Sequence, residues 1–325
     1  MVVTEAAEPS AIDRVLAKLL RPFARIEPEE AIGAVVLSTI VFLLLTAYYL
    51  LKTAREPLIL LHGGAEVKSY ASAGQAAILV VVVRAYSSVA SRVGRVRLLG
   101  VVYLFFASNL LIFASLAAAG ANIGVAFFLW VGVFNYTSIA NFWGYAADSY
   151  TPEKGGRVFV ILGIGSSLGA VAGARIAKDL VILGPQALMV TAAVILVVCV
   201  GLLAWVDRRL SVTRPHGPPP APAPAALAAV PKTEAPAPLE NDTPWSLLRR
   251  DRYLLLIAGL TLVLNWVNVT GEYILDRSLL AAVHDGGMHG PAASAFIGAF
   301  KAQYFAWINV TGVLLQLFAV SRILK

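Results

Sequence analysis

Eight long runs of residues that are apolar on every side constrain this chain more than anything else in it: about 32–51, 70–90, 98–118, 123–146, 158–180, 185–206, 253–275 and 296–320. A helix rises about 1.5 Å per residue, so runs of this length match a hydrocarbon core about 30 Å thick. A membrane barrel would need apolar and polar residues in strict alternation, which these runs do not show. Hydrophobic residues make up 58% of the chain and charged residues 14%. Soluble domains hold about 45–50% and about 25%, so a soluble enzyme and a disordered or fibrous chain are both excluded. The fold expected is all-α: a polytopic membrane helix bundle of eight spans.

The basic residues set the topology. With the N-terminus inside, Arg14, Lys18, Arg21 and Arg25, then Arg92, Arg95 and Arg97, then Lys154 and Arg157, and then Arg208 to Arg252 all fall in inner segments, as do Arg322 and Lys325. The positive-inside rule therefore predicts an inner-membrane protein with both ends of this chain in the cytoplasm. In that setting the net charge of +7 reflects basic loops and does not call for nucleic acid as a partner. The partners expected are the bilayer and a solute, and oligomeric state is open. Cys199 is the one cysteine, which excludes a disulfide framework. Residues 1–30 carry six acidic residues and no apolar core, unlike a cleavable signal.

Ten of the 17 prolines lie in 213–244, so the stretch should be an extended tether. The chain divides into a cytoplasmic segment (1–31), a six-helix bundle (32–206), a Pro/Ala-rich linker (207–252) and the first two helices of a second bundle (253–325). Six spans and a long central loop are how a twelve-span carrier of two bundles begins. The expectation is that four helices of such a carrier are missing from this chain. Gly165, Gly169 and Gly173 recur every four residues in the fifth run, the pattern of a close helix–helix contact. No Gly-Lys-Ser/Thr follows to make them a phosphate loop.

Charges inside the apolar runs carry the functional reading. Lys52, Arg55 and Glu56 stand at i, i+3 and i+4, on one helical face. Charges within a membrane are costly and usually face a cavity or a partner; the alternative is snorkelling of the basic side chains to the headgroups. Glu272 and Asp276 lie one turn apart in the seventh run, so they need a cation or a shared proton. Pairing of Lys52 or Arg55 with Glu272 is one hypothesis, and a charge ring without function is the other. Arg84, Arg175, Lys178 and Lys301 each fit an anchoring role. Together, Lys52, Arg55, Arg175, Lys178 and Lys301 gather toward the outer half and point to an anionic substrate. Trp266-Val267-Asn268-Val269-Thr270-Gly271 is repeated as Trp307-Ile308-Asn309-Val310-Thr311-Gly312, placing an Asn and a Thr where they can bond between helices. His284, Asp285 and His289 share a Gly-rich loop without three ligands at fixed geometry, and no metal or cofactor is expected. Nor is there a nucleophile–base pair, so no enzymatic step is expected.

Several of these segments resemble known carriers. Ser91-Arg92-Val93-Gly94-Arg95-Val96-Arg97 resembles the basic turn of major-facilitator carriers, with Ser91 where Asp is usual. Lys52-Thr53-Ala54-Arg55-Glu56 followed by Gly64-Ala65-Glu66 resembles the first-span region of the ATP/ADP antiporter family of plastids and bacteria. Phe142-Trp143-Gly144-Tyr145-Ala146-Ala147-Asp148 with Pro152, Glu153 and Arg157 is similar to its span four-to-five turn. Phe305-Ala306-Trp307-Ile308-Asn309-Val310, running to Phe318, is similar to its eighth span. The resemblance implies a major-facilitator-like fold and nucleotide exchange by alternating access, with Lys52 and Arg55 on phosphate oxygens and Glu66 where the family has an acid. The residues expected to line the path are Lys52, Arg55, Glu56, Glu66, Asn268, Glu272 and Lys301. Two other readings stay open: a proton-coupled carrier titrating at Glu56 or Glu272, and a membrane scaffold whose charges are locked pairs.

Overall fold

A computed structural model describes residues 11–21, 26–90, 94–211 and 251–315. The Pro-rich tether, the Arg92 part of the basic turn and the tail cations lie outside the described residues. Among the described residues every regular element is helical. The helices are α1 (Ala11–Leu20), α2 (Pro28–Ala90), α3 (Arg95–Ala118), α4 (Gly124–Phe134), α5 (Asn141–Ser149), α6 (Pro152–Leu180), α7 (Pro185–Ser211), α8 (Arg252–Asp285) and α9 (Gly290–Leu315). A wider π turn, Asn135–Ala140, joins α4 to α5, so the two run on as one rod. Six helical stretches are long and apolar enough to cross a membrane, the first being the whole of 30–86 and the last α8. Helices of this kind build a membrane-embedded bundle. The eighth expected run is the helix α9, which is not among those six.

The largest difference from the sequence expectation is α2. The first and second runs were expected as separate helices about twenty residues apart, but helical backbone continues through Lys52, Arg55 and Glu56 and breaks only at Gly64 (φ 73°, ψ −177°). A left-handed φ followed by extended ψ is open to glycine and strained for other residues. The chain folds back there. Glu56 and Lys68 are twelve residues apart, about 18 Å along a straight helix, yet their charged atoms meet at 2.7 Å. Polar residues end an apolar run without ending a helix, because a helix needs its backbone bonds rather than apolar side chains.

The first arm of α2 is the axis of the core. Leu37, Ile40, Val41, Leu44, Ala47, Leu50 and Leu51 are fully buried, and α6, α7 and α4 pack around them. The glycine spacing in α6 does what it predicts. A β-carbon on Gly165, Gly169 or Gly173 would lie 2.7, 2.3 or 2.7 Å from the carbonyl oxygens of Ser38, Phe42 and Thr46, themselves four apart on α2. Backbones this close allow side chains to cross-bond: Ser38 Oγ donates to the Ile161 carbonyl at 3.1 Å and Thr46 Oγ1 to the Gly169 carbonyl at 3.2 Å.

At the start of α2, Glu30 is buried and takes Lys154 at 3.3 Å and Arg157 at 3.2 Å from the start of α6. Exposed Glu27 joins the same group. Tyr150, in the turn before α6, stays protonated, because burial and the nearby Glu30 carboxylate push its phenol up. The helices α8 and α9 complete the described structure. The helix α9 lies against α6 and the first arm of α2, whereas every residue of α8 from 259 to 270 is exposed.

The glycine contact is open to direct test. Gly169→Ala places a methyl group against the Phe42 carbonyl and should destabilise the bundle by about 1–3 kcal/mol. Gly163→Ala meets nothing within 4 Å and should be neutral or slightly stabilising. Thermal melting of the two purified variants in one detergent checks the contrast.

Candidate functional site

Three helices carry the site, and their side chains fall into layers. At the end of the bundle where α2 turns back, a groove of about 740 Å³ is lined by Pro57, Leu58 and His62, by Val181 to Gln186, and by residues of α8, α9 and the loop between them that include His284, His289 and Ser294. One turn inward lies an apolar layer made of Ile59, Leu60, Leu279, Val283, Ala293 and Ile297. The next turn holds the charges Arg55, Glu56, Lys68, Glu272, Asp276 and Lys301. Beyond them come Lys52, Tyr49, Phe305 and Asn309. The register follows from helical spacing: 49, 52, 56, 59 on α2 and 309, 305, 301, 297 on α9 each step one turn along a single face.

The charged layer is a closed circuit. Glu56 Oε2 accepts from Lys68 Nζ at 2.7 Å, and Lys68 also donates to Asp276 Oδ2 at 2.7 Å. Asp276 Oδ1 accepts from Lys301 Nζ, and Lys301 returns to Glu56 Oε2 at 3.4 Å. Charges therefore alternate around the ring, and each member comes from a different helical segment: both arms of α2, α8 and α9. Glu56, Lys68, Asp276 and Lys301 are all buried. Two groups attach from outside. Arg55 Nε donates to Glu56 Oε1 at 3.1 Å while its guanidinium lies 4.5 Å over the Phe128 ring. Glu272, more exposed, stands 3.8 Å from Lys68.

Lys52 is different. Its ammonium sits 4.2 Å from the centre of the Phe305 ring and 5.7 Å from that of Tyr49. Among the described residues it has no carboxylate within 4 Å, while Arg55, Lys68 and Lys301 each have at least one. The layer and its neighbour thus hold four cations against three carboxylates, and Lys52 is the surplus charge. Aromatic faces hold a cation with roughly 0.5–2 kcal/mol, well below what a carboxylate supplies in a dry site. The arrangement is suited chemically to receive an anion at Lys52.

The structure brings together Lys52, Arg55, Glu56, Glu272 and Lys301 of the expected residues. Lys52 and Arg55 turn toward the helices rather than snorkelling outward. The expected pairing of Glu272 with Lys52 or Arg55 does not occur: the cation within 4 Å of Glu272 is Lys68. Two expected residues stand apart. Asn268 is exposed on α8, and Glu66 is exposed at the turn, where it pairs with Arg277 and accepts from the Tyr273 hydroxyl. Arg84 and Arg175 are exposed and Lys178 is partly so; none of them joins the ring. Sequence reasoning missed Lys68 and Asn309 as site residues. Gly63-Gly64 was the available signal for Lys68, since a glycine pair after Glu56 lets the chain return and brings position 68 beside position 56.

Comparison with family models, with curated proteins and with solved structures returns no match. The arrangement of charges is accordingly what the functional reading rests on.

Removing one partner of a buried ion pair leaves the other charge uncompensated, which costs about 3–5 kcal/mol. Lys68→Met should therefore lower the melting temperature sharply, and Lys68→Met combined with Asp276→Leu should recover part of the loss. A double-mutant cycle on purified protein measures this, and strictly additive losses would show that the two side chains do not share a bond.

Proposed function

We propose that this protein is a membrane carrier for a phosphorylated anion, a nucleotide of the ATP/ADP type, moved by alternating access and without an enzymatic step. The observation that carries the reading is Lys52: a half-buried cation with no carboxylate, one turn from a ring in which every other cation is paired. A ring of locked pairs on its own would fit a scaffold equally well. A surplus cation whose close contacts among the described residues are aromatic faces does not, because a static bundle gains nothing from leaving it without a carboxylate within 4 Å.

Phosphate chemistry suits the neighbours of Lys52. An ammonium acts on a phosphate as a point charge, and a guanidinium can grip two of its oxygens at once. Arg55 lies one turn from Lys52, and releasing its single bond to Glu56 makes it available. The likeness of 52–56 to the antiporter first span supports a nucleotide among phosphorylated anions. In this reading the bundle belongs to a twelve-span, major-facilitator-like carrier of the inner membrane, with the ends of this chain in the cytoplasm. The apolar layer and the ring then close the path toward the groove, and the two helical groups rock apart at that level on the opposite stroke. A second reading, a proton-coupled carrier, rests on Glu272, which of the three carboxylates in the charged layer lies farthest from its cation, 3.8 Å from Lys68.

Proteoliposome uptake separates the two. Labelled ADP should enter faster when the vesicles hold ATP or ADP, with little response to a pH gradient, and Lys52→Ala should reduce uptake at least tenfold, given about 1.5–3 kcal/mol for a hydrogen bond to a charged group. Uptake that follows the pH gradient, ignores internal nucleotide and is lost in Glu272→Gln favours the proton-coupled carrier. Absence of any nucleotide exchange sinks the first reading.

A further inference from the structure

Two neighbours of Lys52 define more of its site than the charge does. Tyr49 lies one turn before Lys52 on α2, and its hydroxyl donates to Asn309 Oδ1 on α9 at 2.8 Å. That bond occupies the acceptor end of the amide. Nδ2, the donor end, is buried and has no acceptor. A buried donor left unmade costs about 1–3 kcal/mol, so its persistence beside a cation that also lacks a partner is informative. Both groups abut the same ring: Lys52 Nζ is 5.7 Å from the Tyr49 centroid, and the Tyr49 hydroxyl holds the amide. Phe305, one turn from Asn309, closes the other side, with its ring 6.1 Å from that of Tyr49 and 4.2 Å from the ammonium.

Among the described residues the free polar ends here are donors: an ammonium and an amide N–H, both placed around the Tyr49 and Phe305 rings. The charge of Lys52 disfavours a cation as ligand, and both free ends call for an acceptor rather than a donor. What satisfies both ends at once is an oxygen anion. Resting on the carrier reading above, we infer that Asn309 is the second ligand of the carried phosphoryl group, bonding an oxygen through Nδ2 while Lys52 takes the charge. Tyr49 is the positioning residue that fixes which end of the amide faces the substrate. Asn268, in the near-identical hexamer of α8, is exposed and does not share this role.

The test uses the full chain in lipid nanodiscs with ADP as probe, and reads ADP affinity and melting temperature together. Asn309→Leu keeps the size and removes the donor, so affinity should fall about tenfold with the melting temperature nearly unchanged. Tyr49→Phe should lower affinity severalfold by releasing the amide. Asn309→Asp supplies the carboxylate that Lys52 lacks: ADP binding should be lost while the melting temperature rises, and that rise should vanish when Lys52→Met is added. If ADP binds the parent protein and Asn309→Leu binds it equally well, Asn309 is no ligand and the inference fails while the carrier reading stands. If Asn309→Asp leaves both binding and melting as in the parent, the two groups do not face one another and the inference fails on geometry. Failure of the parent to bind ADP overturns the carrier reading and takes the inference with it.

Discussion

A carboxylate or an ammonium withdrawn from water loses several kcal/mol even after its surroundings relax. The ring of Glu56, Lys68, Asp276 and Lys301 removes that loss in the manner electrostatics allows, by alternating charge so that each ion has two opposite neighbours. Four alternating groups need four separate attachment points, because adjacent residues of one helix cannot surround each other. The ring therefore dictates topology as much as it depends on it. Lys68 reaches Glu56 because the chain reverses at Gly64, and Asp276 and Lys301 meet because α8 and α9 run beside that reversal. Loosening any one member leaves each of its two neighbours with one opposite charge fewer in a dry place, so the four segments are coupled more strongly than their modest apolar contact would couple them.

The same logic explains the layers. Ile59, Leu279, Val283 and Ile297 exclude water from the groove side, which keeps the dielectric low and the ring tight. The aromatic rings of Tyr49 and Phe305 do less on the opposite side: they tolerate a cation without neutralising it. Barrier and receptive face thus lie one turn above and one turn below the charges. A single step of helical register decides which side of the ring a residue serves.

How much of this the sequence discloses depends on whether a feature is local. The glycine stripe of α6 was legible because spacing of four on a helix is a statement about one face, and the face is where Ser38, Phe42 and Thr46 lie. The clustering of Lys52, Arg55 and Glu56 was legible for the same reason. Lys68 was not, since its neighbourhood is made by a reversal of the chain and by helices more than 200 residues away. The twin hexamers mark the limit most sharply. Residues 266–271 and 307–312 share Trp, Asn, Thr and Gly at identical positions, yet Asn268 is exposed and Asn309 is held by Tyr49. The one change within the hexamers, Val267 against Ile308, does not distinguish them; the difference is that Tyr49 of the first arm of α2 reaches Asn309 while Asn268 is exposed. Glu66 stands apart from the ring for a related reason, because the turn that brings Lys68 inward leaves position 66 outside with Arg277.

The number and quality of bonds around the ring also order the events in the proposed cycle. Lys68 is held by two carboxylates at 2.7 Å each, and Lys301 by two carboxylates. Arg55 is held by one, at 3.1 Å, and shares its charge with the Phe128 face. In the proposed carrier, an arriving phosphate would meet Lys52 with no carboxylate to displace, then Arg55 with one bond to displace, and the lysines of the ring only afterwards. Each cation it recruits from Glu56 leaves that carboxylate more dependent on Lys68 and Lys301, so the first steps of binding tighten the ring before any further charge can open it. A dianionic group would therefore stop at Lys52 and Arg55. Additional phosphate charge is needed to compete with Asp276 for the lysines that tie α8 and α9 to α2. In the proposed carrier, opening of the bundle would depend on the charge of the solute as well as on its presence, because the ring would resist until the incoming anion could replace a carboxylate as a lysine partner.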